Sequence, residues 1–466
     1  NKVANFFKKM GVYKGDNVAL LIGNRPEILE LIFGIVKMGA CVVPLSGLLT
    51  KEQITVLVNN SDAKLFIVDN DLIDLVTSDL SQFKNIDEGK LLLLGGELDC
   101  WEKISSEEKD YGFDYNCKPE DNFNIIYSSG TTGVPKGIVQ THRARSHWAT
   151  SNAIEMSFNS ECKSLTTTAL YSNGTWLMML PTLFVGGTLH VMTGFDPKAF
   201  VDLVQRERIT HTFLVPPQFS AILSLENLEK DSFSSLKTIL SAGSPLRLDV
   251  KENILTSMSE NLFELYGFSE GFATMLKPHD QRKKFGSVGT PVLGFEIKII
   301  DEKGNECSPN VAGEIAGYGA GMMKEYYSEV ELTNSLIWTD NRGRSFIKSG
   351  DIGSLDEDGF LTILDRKKDM IISGGLNVFP VDIEEVVGKH PDIIDVTVIG
   401  VPHEKWGETC VALIIPKDGV EIDCDEIKNW SNEKLAKHQR LYKVESRVEF
   451  PRNALGKVLK RVLREP

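Results

Sequence analysis

Three features that mark membrane, secreted or nucleic-acid-binding proteins are missing from this 466-residue chain. No apolar run reaches the roughly 18 residues that a membrane-spanning helix needs. The chain does not open with the pattern of a signal peptide. The net charge is −14, which argues against nucleic acid or an anionic membrane surface as the main partner. We therefore expect a cytoplasmic protein without a transmembrane segment, whose partners are small molecules.

Cysteines are few and scattered. The seven cysteines never form a CxxC pair, so both a disulfide framework and a zinc site are disfavoured. The sequence also has no internal repeat and no low-complexity tract. With 42% hydrophobic and 25% charged residues, the composition is that of an ordinary globular protein, and the length allows roughly two to four folding units.

The chain changes its pattern twice. Up to about residue 285, apolar runs such as "NVALLIG" alternate with helical patterns such as "RPEILELIFGIVKMGA", which predicts parallel strands covered by helices. From there, Gly and Pro turns separate alternating runs, and "DEKGNE" predicts a hairpin, so we expect a distorted antiparallel sheet. From about residue 366 the pattern is typical of a small α+β unit, including a helix over 424–438.

The stretch "YSSGTTGVPKG" (127–137) is rich in small donors. Its glycines let backbone N–H groups turn toward an anion, and its hydroxyls and Lys136 add further donors. It differs from the common GxxxxGK[ST] loop because Gly137 follows the lysine. Its composition alone allows a plain turn as well as a phosphate site.

This stretch is similar to the phosphate loop of the adenylate-forming superfamily, which comprises acyl- and aryl-CoA synthetases, luciferases and the adenylation domains of peptide synthetases. Four further stretches resemble motifs of that family, in the same order: "ELYGFSEG" (264–271), "KSGDIGSLDEDGF" (348–360), "LDRKKDMIISGGLNVFPVDIEEVV" (364–387) and "PRNALGKVLKR" (451–461). The resemblance covers nearly the whole chain. Because the chain opens with Asn inside a helical pattern, we expect that an N-terminal portion of the family is missing.

The resemblance implies a fold and a division into domains. It implies a large N-terminal domain with two parallel-type α/β sheets and a distorted antiparallel β subdomain, and a small mobile α+β C-terminal domain. The AMP-binding domain would comprise residues 1–365 and the C-terminal domain residues 366–466. A hinge near 366–368, centred on Lys368, would let the small domain rotate between two half-reactions.

The resemblance also implies ATP and Mg²⁺, with named residues for each part of the nucleotide. The residues expected at the phosphates are Ser128, Ser129, Gly130, Thr131, Thr132, Gly133 and Lys136. The residues expected at adenine and ribose are Gly243, Ser244, Tyr266, Gly267, Asp351 and Arg366.

Three further residues are expected to act at the reacting groups. Glu270, with Thr131, would bind Mg²⁺, a hard cation that prefers oxygen ligands. Ser269 stands where the family usually has Thr and keeps the hydroxyl that would meet the α-phosphate, with less rigidity. Lys457, in a cationic tail, would stabilise charge between the substrate carboxylate and the α-phosphate.

The acyl acceptor distinguishes members of this family. In "ALYSNGTW" (169–176), Ser172 stands where amino-acid-activating relatives have Asp, so a substrate ammonium would lack its counter-ion. Many CoA ligases have His in this element, and this chain does not. The loop "SGGLN", with Gly374 and Gly375, is typical of CoA ligases, where it leaves room for the pantetheine arm of coenzyme A. We predict an ATP-dependent carboxylic acid–CoA ligase that forms acyl-CoA, AMP and pyrophosphate.

Other functions stay open at this point. One is a stand-alone amino-acid or aryl-acid adenylation enzyme that loads a carrier protein. A luciferase-like oxidase and a nucleotide-binding regulator without activity are two more, although the intact Lys136, Glu270 and Lys457 argue against the regulator. The sequence does not decide whether the chain forms a homodimer.

The acid is defined only broadly. The predicted acyl pocket is lined by Tyr171, Ser172, Trp176 and Ala242, which fits an apolar or aromatic acid of modest size. Trp176 could equally be part of the core.

Overall fold

The computed structural model describes residues 1–96, 99–107, 109–110, 117–128, 136–373, 376–417, 419–452 and 458–464. The chain divides into two compact units. The first unit comprises residues 1–285, 291–296 and 318–337, and the second comprises 286–290, 297–317 and 338–466. The domain boundary expected at residues 365/366 stays a prediction. Across the described ranges, no helix combines the length and the apolar character needed to cross a bilayer.

The strands are numbered in chain order. Those up to residue 291 are β1 (Asn17–Leu21), β2 (Cys41–Pro44), β3 (Leu65–Asp69), β4 (Leu91–Leu94), β5 (Asn122–Ser128), β6 (Lys136–Thr141), β7 (Lys163–Thr166), β8 (Thr188–Val191), β9 (His211–Leu214), β10 (Thr238–Ser241), β11 (Leu262–Gly267), β12 (Ala273–Leu276) and β13 (Thr290–Pro291). The others are β14 (Phe295–Ile300), β15 (Gly313–Gly319), β16 (Glu325–Tyr326), β17 (Ile337–Thr339), β18 (Ser345–Leu355), β19 (Leu361–Arg366), β20 (Ile371–Ser373), β21 (Leu376–Val378), β22 (Ile393–His403), β23 (Gly407–Pro416) and β24 (Leu441–Ser446).

The helices are numbered in the same way. They are α1 (Lys2–Lys9), α2 (Pro26–Lys37), α3 (Lys51–Asn60), α4 (Cys100–Glu107), α5 (His142–Glu155), α6 (Trp176–Phe184), α7 (Pro197–Glu207), α8 (Pro216–Leu223), α9 (Leu248–Ser257), α10 (Val330–Ser335), α11 (Pro380–Val387), α12 (Cys424–Asn432) and α13 (Lys460–Arg464). Short 3₁₀ helices lie at Asn70–Leu75, Leu80–Gln82, Lys230–Phe233, Pro278–Asp280 and Lys437–Gln439.

Two seven-stranded sheets form the first unit, and both are parallel at their centres. The first sheet has the order β16-β6-β5-β2-β1-β3-β4, and the second has the order β13-β12-β11-β10-β9-β7-β8. Parallel pairing joins β2 to β1 and β1 to β3, and likewise β9 to β10 and β10 to β11. Antiparallel pairs lie toward the edges, at β5–β6 and β11–β12. This confirms the predicted fold class for the larger part of the chain.

Strand β1 shows why these apolar runs become central strands. All five of its residues are buried. Val18 and Leu20 pack into one core cluster with residues of α1 and α2, whereas Ala19 and Leu21 pack into another with residues of α3. A parallel strand covered by helices on both faces needs apolar side chains at every position. Pro at the first helical position starts α2, and a Thr50–Gln53 capping box starts α3, which are ordinary helix-start signals.

The second unit contains two five-stranded sheets. In the third sheet β18 pairs antiparallel with β15 and β19, and the "DEKGNE" turn closes through the bond from Asp301 N–H to Asn305 O, 2.8 Å. The fourth sheet has the order β21-β20-β23-β22, with β24 parallel to β23. Its core includes side chains from α11 and α12, so the predicted antiparallel and α+β parts are confirmed. Helix α12 ends at Asn432, earlier than predicted, because the Asn432 side chain bonds to the backbone of Leu441 at both its amide atoms.

Candidate active site

The predicted adenine-binding residues meet at one edge of the second sheet. Strands β10 and β11 are parallel neighbours, with Ser241 opposite Glu264. The segment Ala242–Gly243–Ser244, which follows β10, therefore lies beside Tyr266–Gly267, the end of β11. Ligands of open α/β sheets bind at this carboxyl edge. Gly243 has φ +95°, a conformation that residues with a side chain rarely adopt. The Tyr266 ring lies edge-on to Phe272, with the ring centroids 6.3 Å apart.

The predicted acyl element follows β7 and is held by side-chain bonds. Asn24 donates to the backbone O of Thr168 at 3.1 Å and accepts from the N–H of Leu170 at 2.8 Å. The Thr175 hydroxyl donates to the backbone O of Ala169 at 2.7 Å. Tyr171 and Ser172, between these anchors, are half-buried. The element is therefore fixed at both ends and presents its centre at the carboxyl edge of the sheet.

Trp176 lies in the core at the start of α6. It is 1% exposed, and its indole N–H donates to the backbone O of Leu170 at 2.8 Å. The guanidinium carbon of Arg145 lies 4.6 Å from the centre of its ring. Trp176 is therefore part of the core, one of the two possibilities that the sequence allowed. A role of Trp176 in binding an acyl group stays a prediction.

Arg145 is an unusual buried cation. Its Nε donates to Asn124 Oδ1 at 2.7 Å, while its Nη2 has no hydrogen-bond partner among the residues that the structure describes. Burial lowers the pKa of Arg145 to about 9. Stacking on Trp176 offsets part of the cost of burying this charge.

Ser269 receives hydrogen bonds from two other segments. Asn173 Nδ2, in the acyl element, donates to Ser269 Oγ at 3.3 Å. Gln140 Nε2, on β6, donates to the backbone O of Ser269 at 2.9 Å. These bonds join the acyl element, the first sheet and the segment that contains Glu270.

The side chain of Glu270 is held by a tyrosine that the sequence did not identify. The hydroxyl of Tyr326, on β16, donates to Glu270 Oε1 at 2.6 Å. Burial, together with the negative charge of Glu270, raises the pKa of Tyr326 well above its ordinary value, so the phenol stays protonated. Lys136 Nζ lies 5.2 Å from the centre of the Tyr326 ring. The structure thus brings Glu270 and Lys136, both predicted site residues, to opposite parts of one buried tyrosine.

This arrangement fits Mg²⁺. No group of three or more His, Cys, Asp or Glu side chains that could hold a metal is found in the described part of the chain, so a cage built only from protein ligands is not available there. Mg²⁺ is commonly bound by one or two carboxylates, with water and substrate phosphates completing its shell. Glu270 offers one carboxylate to which the Tyr326 hydroxyl donates, and its binding of Mg²⁺ stays a prediction.

Much of the predicted phosphate loop lies outside the described residues. This applies to Ser129, Gly130, Thr131, Thr132 and Gly133. The backbone of Ser128 at the end of β5 pairs with Lys136 at the start of β6, so the two described ends of the loop are adjacent. Gly374 and Gly375, predicted on the path of coenzyme A, and Lys457 also lie outside the described residues.

The predicted ribose-binding residues are adjacent in the second unit. Asp351 on β18 and Arg366 on β19 are opposite one another in the ladder, and Arg366 Nε lies 3.4 Å from Asp351 Oδ1. Gly350 has φ +72°, and its carbonyl accepts from Lys367 N–H at 2.9 Å. The Ser349 hydroxyl accepts from the N–H of Asp351 at 3.0 Å. The turn thereby places the carboxylate beside the guanidinium.

The predicted hinge residue, Lys368, is exposed and lies against the C-terminal helix α13. Arg464 Nη2 lies 3.0 Å from Asp369 Oδ1, and Arg464 Nη1 donates to the backbone O of Lys368 at 3.5 Å. Next to this segment, burial raises the pKa of Asp365 to about 6, opposed by the positive charge of Lys460. The role of Lys368 as a hinge stays a prediction.

Two of the residues that the sequence did not identify carry a recognisable signal. Asn124 and Gln140 are polar, fully buried and opposite one another on β5 and β6, within largely apolar strands. A polar residue inside an apolar strand is a recognisable anomaly, because burying it requires a partner. Tyr326 and Asn173 carry no such signal, since their partners are far away along the chain.

The chain is similar to several known proteins. The family described as "AMP-binding enzyme" matches residues 1–327, and "AMP-binding enzyme C-terminal domain" matches residues 382–457. A feruloyl-CoA synthase of Amycolatopsis is 32% identical, covering 98% of this chain and 90% of its own. A 2-succinylbenzoate–CoA ligase of Geobacillus kaustophilus is 32% identical over an alignment that covers 97% of this chain and 88% of the ligase. The crystal structure of ATP-bound MatB from Rhodopseudomonas palustris superposes with a TM-score of 0.91 at 26% identity. The superposition covers 100% of this chain and 91% of the MatB chain.

Proposed function

The chain belongs to the family of AMP-binding enzymes, and on that premise we propose which acid it activates and which of its residues carry the reaction. The overall reaction is that of an ATP-dependent acid–CoA ligase. A carboxylic acid, ATP and coenzyme A give acyl-CoA, AMP and pyrophosphate, with Mg²⁺ as the metal cofactor.

In the first half-reaction, a carboxylate oxygen attacks the α-phosphorus of ATP and the bond to the β-phosphate oxygen breaks. Pyrophosphate leaves, and an acyl-adenylate remains. The protein contributes mainly positioning and the neutralisation of charge on oxygen. We assign Lys136 and the loop 128–133 to the β- and γ-phosphates and the Ser269 hydroxyl to the α-phosphate. Lys457 would stabilise charge at the attacking carboxylate.

Mg²⁺ would be bound by Glu270, with Thr131 as a further ligand, and supplies a positive charge that the leaving phosphates can share. The Tyr326 hydroxyl donates to one oxygen of Glu270. Asp351 would accept hydrogen bonds from the ribose hydroxyls, with Arg366 beside it. Adenine would pack against Tyr266, Gly267, Gly243 and Ser244.

In the second half-reaction, the thiolate of coenzyme A attacks the acyl carbon and the bond to the adenylate oxygen breaks, which releases AMP. The thiol would approach past Gly374 and Gly375. We propose that residues 366–466 form a domain that rotates about Lys368 between the two half-reactions, because Lys457 serves the first and the glycine loop serves the second.

The observation that carries the proposal is the pairing of Tyr326 with Glu270 beside Lys136. A buried phenol that donates to a carboxylate, with a lysine over its ring, is well suited to a Mg·triphosphate.

We propose an aromatic or arylalkyl acid of modest size as the substrate. Ser172 and the rest of the segment 168–176 offer no carboxylate to a substrate ammonium, which disfavours amino acids. Tyr171 and Ala242 are a half-buried aromatic and a small side chain at the same sheet edge. The names of the feruloyl-CoA and succinylbenzoate–CoA enzymes support an acid with a ring.

The test is a pyrophosphate-release screen of short, medium, long and aryl acids, each with and without coenzyme A. We expect the highest kcat/KM for an aryl acid and the formation of its thioester when coenzyme A is present. Turnover of an amino acid without any use of coenzyme A would instead support a carrier-loading adenylation enzyme. Cytoplasmic location and a homodimer stay predictions, to be checked by cell fractionation and light scattering.

A further inference from the structure

Ser269 is a less constrained residue than the threonine that usually occupies its position in the family. A β-branched threonine has few allowed χ1 rotamers, whereas a serine hydroxyl rotates more freely. Free rotation would weaken any contact with the α-phosphate, because an unordered donor must first be oriented. The structure shows what orients it in this chain.

The side chain of Asn173 donates from Nδ2 to Ser269 Oγ at 3.3 Å. A hydroxyl has two lone pairs and one proton. Because Asn173 occupies a lone pair, the Ser269 proton remains available to donate elsewhere, and an anionic oxygen is the best acceptor for it. Gln140 holds the backbone O of the same serine at 2.9 Å, so both the main chain and the side chain of Ser269 are restrained.

Asn173 is itself well placed for this role. It lies in the acyl element, whose two ends are anchored by Asn24 and Thr175. Its Oδ1 is buried and has no partner within the part of the chain that the structure describes, so the bond to Ser269 is the one hydrogen bond recorded for its side chain there.

We propose that Asn173 is a positioning residue that orients the Ser269 hydroxyl toward the α-phosphate of ATP and so replaces the rigidity of the missing threonine methyl. The assignment rests on the proposed adenylation function. Asn173 acts through Ser269 and need not touch the reacting atoms. The same bond couples the acyl element to the nucleotide site.

A double-mutant cycle tests this directly. Asn173→Ala should lower kcat for pyrophosphate release about five- to tenfold, the value of one hydrogen bond. Ser269→Thr provides a second background, in which the methyl group itself restricts χ1, and its own rate is the reference for that half of the cycle. In the Ser269→Thr background, Asn173→Ala should then cost less than about twofold, since the threonine no longer depends on the amide.

An isosteric substitution separates orientation from packing. Asn173→Asp keeps the shape of the side chain but replaces the donor with an acceptor, so the Ser269 proton would turn toward the aspartate and away from the phosphate. A negative charge near the triphosphate adds repulsion. We expect Asn173→Asp to be about tenfold slower than Asn173→Ala, with an unchanged melting temperature. Asn159→Asp, at the opposite end of β7, is the matched charge control and should behave as wild type.

Binding of α,β-methylene-ATP with Mg²⁺, measured by calorimetry, gives a readout that does not require turnover. We expect the same order of affinity, with wild type above Asn173→Ala and Asn173→Ala above Asn173→Asp. If the wild type binds this analogue but pyrophosphate is released with none of the acids, the proposed function is wrong. The affinities of the variants would still test the role of Asn173. Equal affinities for all variants, or an equal cost of Asn173→Ala with Ser269 and with Ser269→Thr, would overturn the positioning role.

Discussion

The hydroxyl of Tyr326 offers the sharpest test of the proposal that the Glu270 carboxylate binds Mg²⁺. Tyr326→Phe removes one oxygen atom from a residue that is 3% exposed and leaves the ring in place. The lost bond to Glu270 Oε1 is 2.6 Å long, and a hydrogen bond to a charged group contributes about 1.5–3 kcal/mol. Removing a residue that orients a metal ligand typically weakens metal binding or activity about 10–100-fold. We therefore expect the Mg²⁺ concentration for half-maximal pyrophosphate release to rise by a similar factor.

The neighbouring tyrosine is a matched control. The Tyr327 hydroxyl contacts Asn17 Nδ2 at 3.1 Å and Asp62 Oδ2 at 3.3 Å, so Tyr327→Phe should leave the Mg²⁺ requirement unchanged. The assay is a magnesium titration at saturating ATP and acid, with the melting temperature of each variant measured in parallel. The reasoning is wrong if Tyr326→Phe and Tyr327→Phe show the same Mg²⁺ dependence.

Three other outcomes are expected. An α-amino group added to the best acid should reduce kcat/KM at least about tenfold, because Ser172 provides no counter-charge; equal turnover would contradict this. Lys368→Pro should retain pyrophosphate release and lose thioester formation, whereas Lys457→Ala should lose pyrophosphate release and still convert supplied acyl-adenylate; equal loss of both steps in both variants would exclude rotation. Burial lowers the pKa of His211 to about 4, so between pH 6.5 and 4 this histidine is protonated in the unfolded chain but largely neutral in the native chain. The contribution of His211 should therefore lower the free energy of unfolding by about 3 kcal/mol as the pH drops from 6.5 to 4. His211→Gln should reduce this pH dependence of the free energy of unfolding, measured by urea denaturation, by about that amount.

The strands and helices were predictable because their signals are local. Runs such as the one at Asn17–Leu21 are buried on both faces, and Pro26 and Thr50 mark helix starts within a few residues of their effects. The end of α12 was predicted too late because Asn432 is held by Leu441, in a strand that follows the helix. A contact of that kind is tertiary and leaves no mark on the periodicity of the helix itself.

The site residues also divide into those with a local sequence signal and those without one. Glu270, Asp351 and Lys136 were identified because each lies in a recognisable contiguous motif. Tyr326 is 56 residues from Glu270, and Asn173 is 96 residues from Ser269. Each pair joins segments from different parts of the fold. Tyr326 lies on β16 at the edge of the first sheet, Glu270 and Ser269 follow β11 of the second sheet, and the acyl element follows β7. A single sequence does not specify how these segments meet, so the residues that orient the predicted ligands could be found only in the fold.

The central claim is that the acid is activated by attack on the α-phosphorus. The direct measurement uses an acid with both carboxylate oxygens labelled with ¹⁸O, incubated with the enzyme, Mg·ATP and coenzyme A, followed by mass spectrometry of the products. One labelled oxygen should appear in AMP and the other in the thioester carbonyl, with none in pyrophosphate. Label in inorganic phosphate with ADP as the nucleotide product, or unlabelled AMP, would contradict the account.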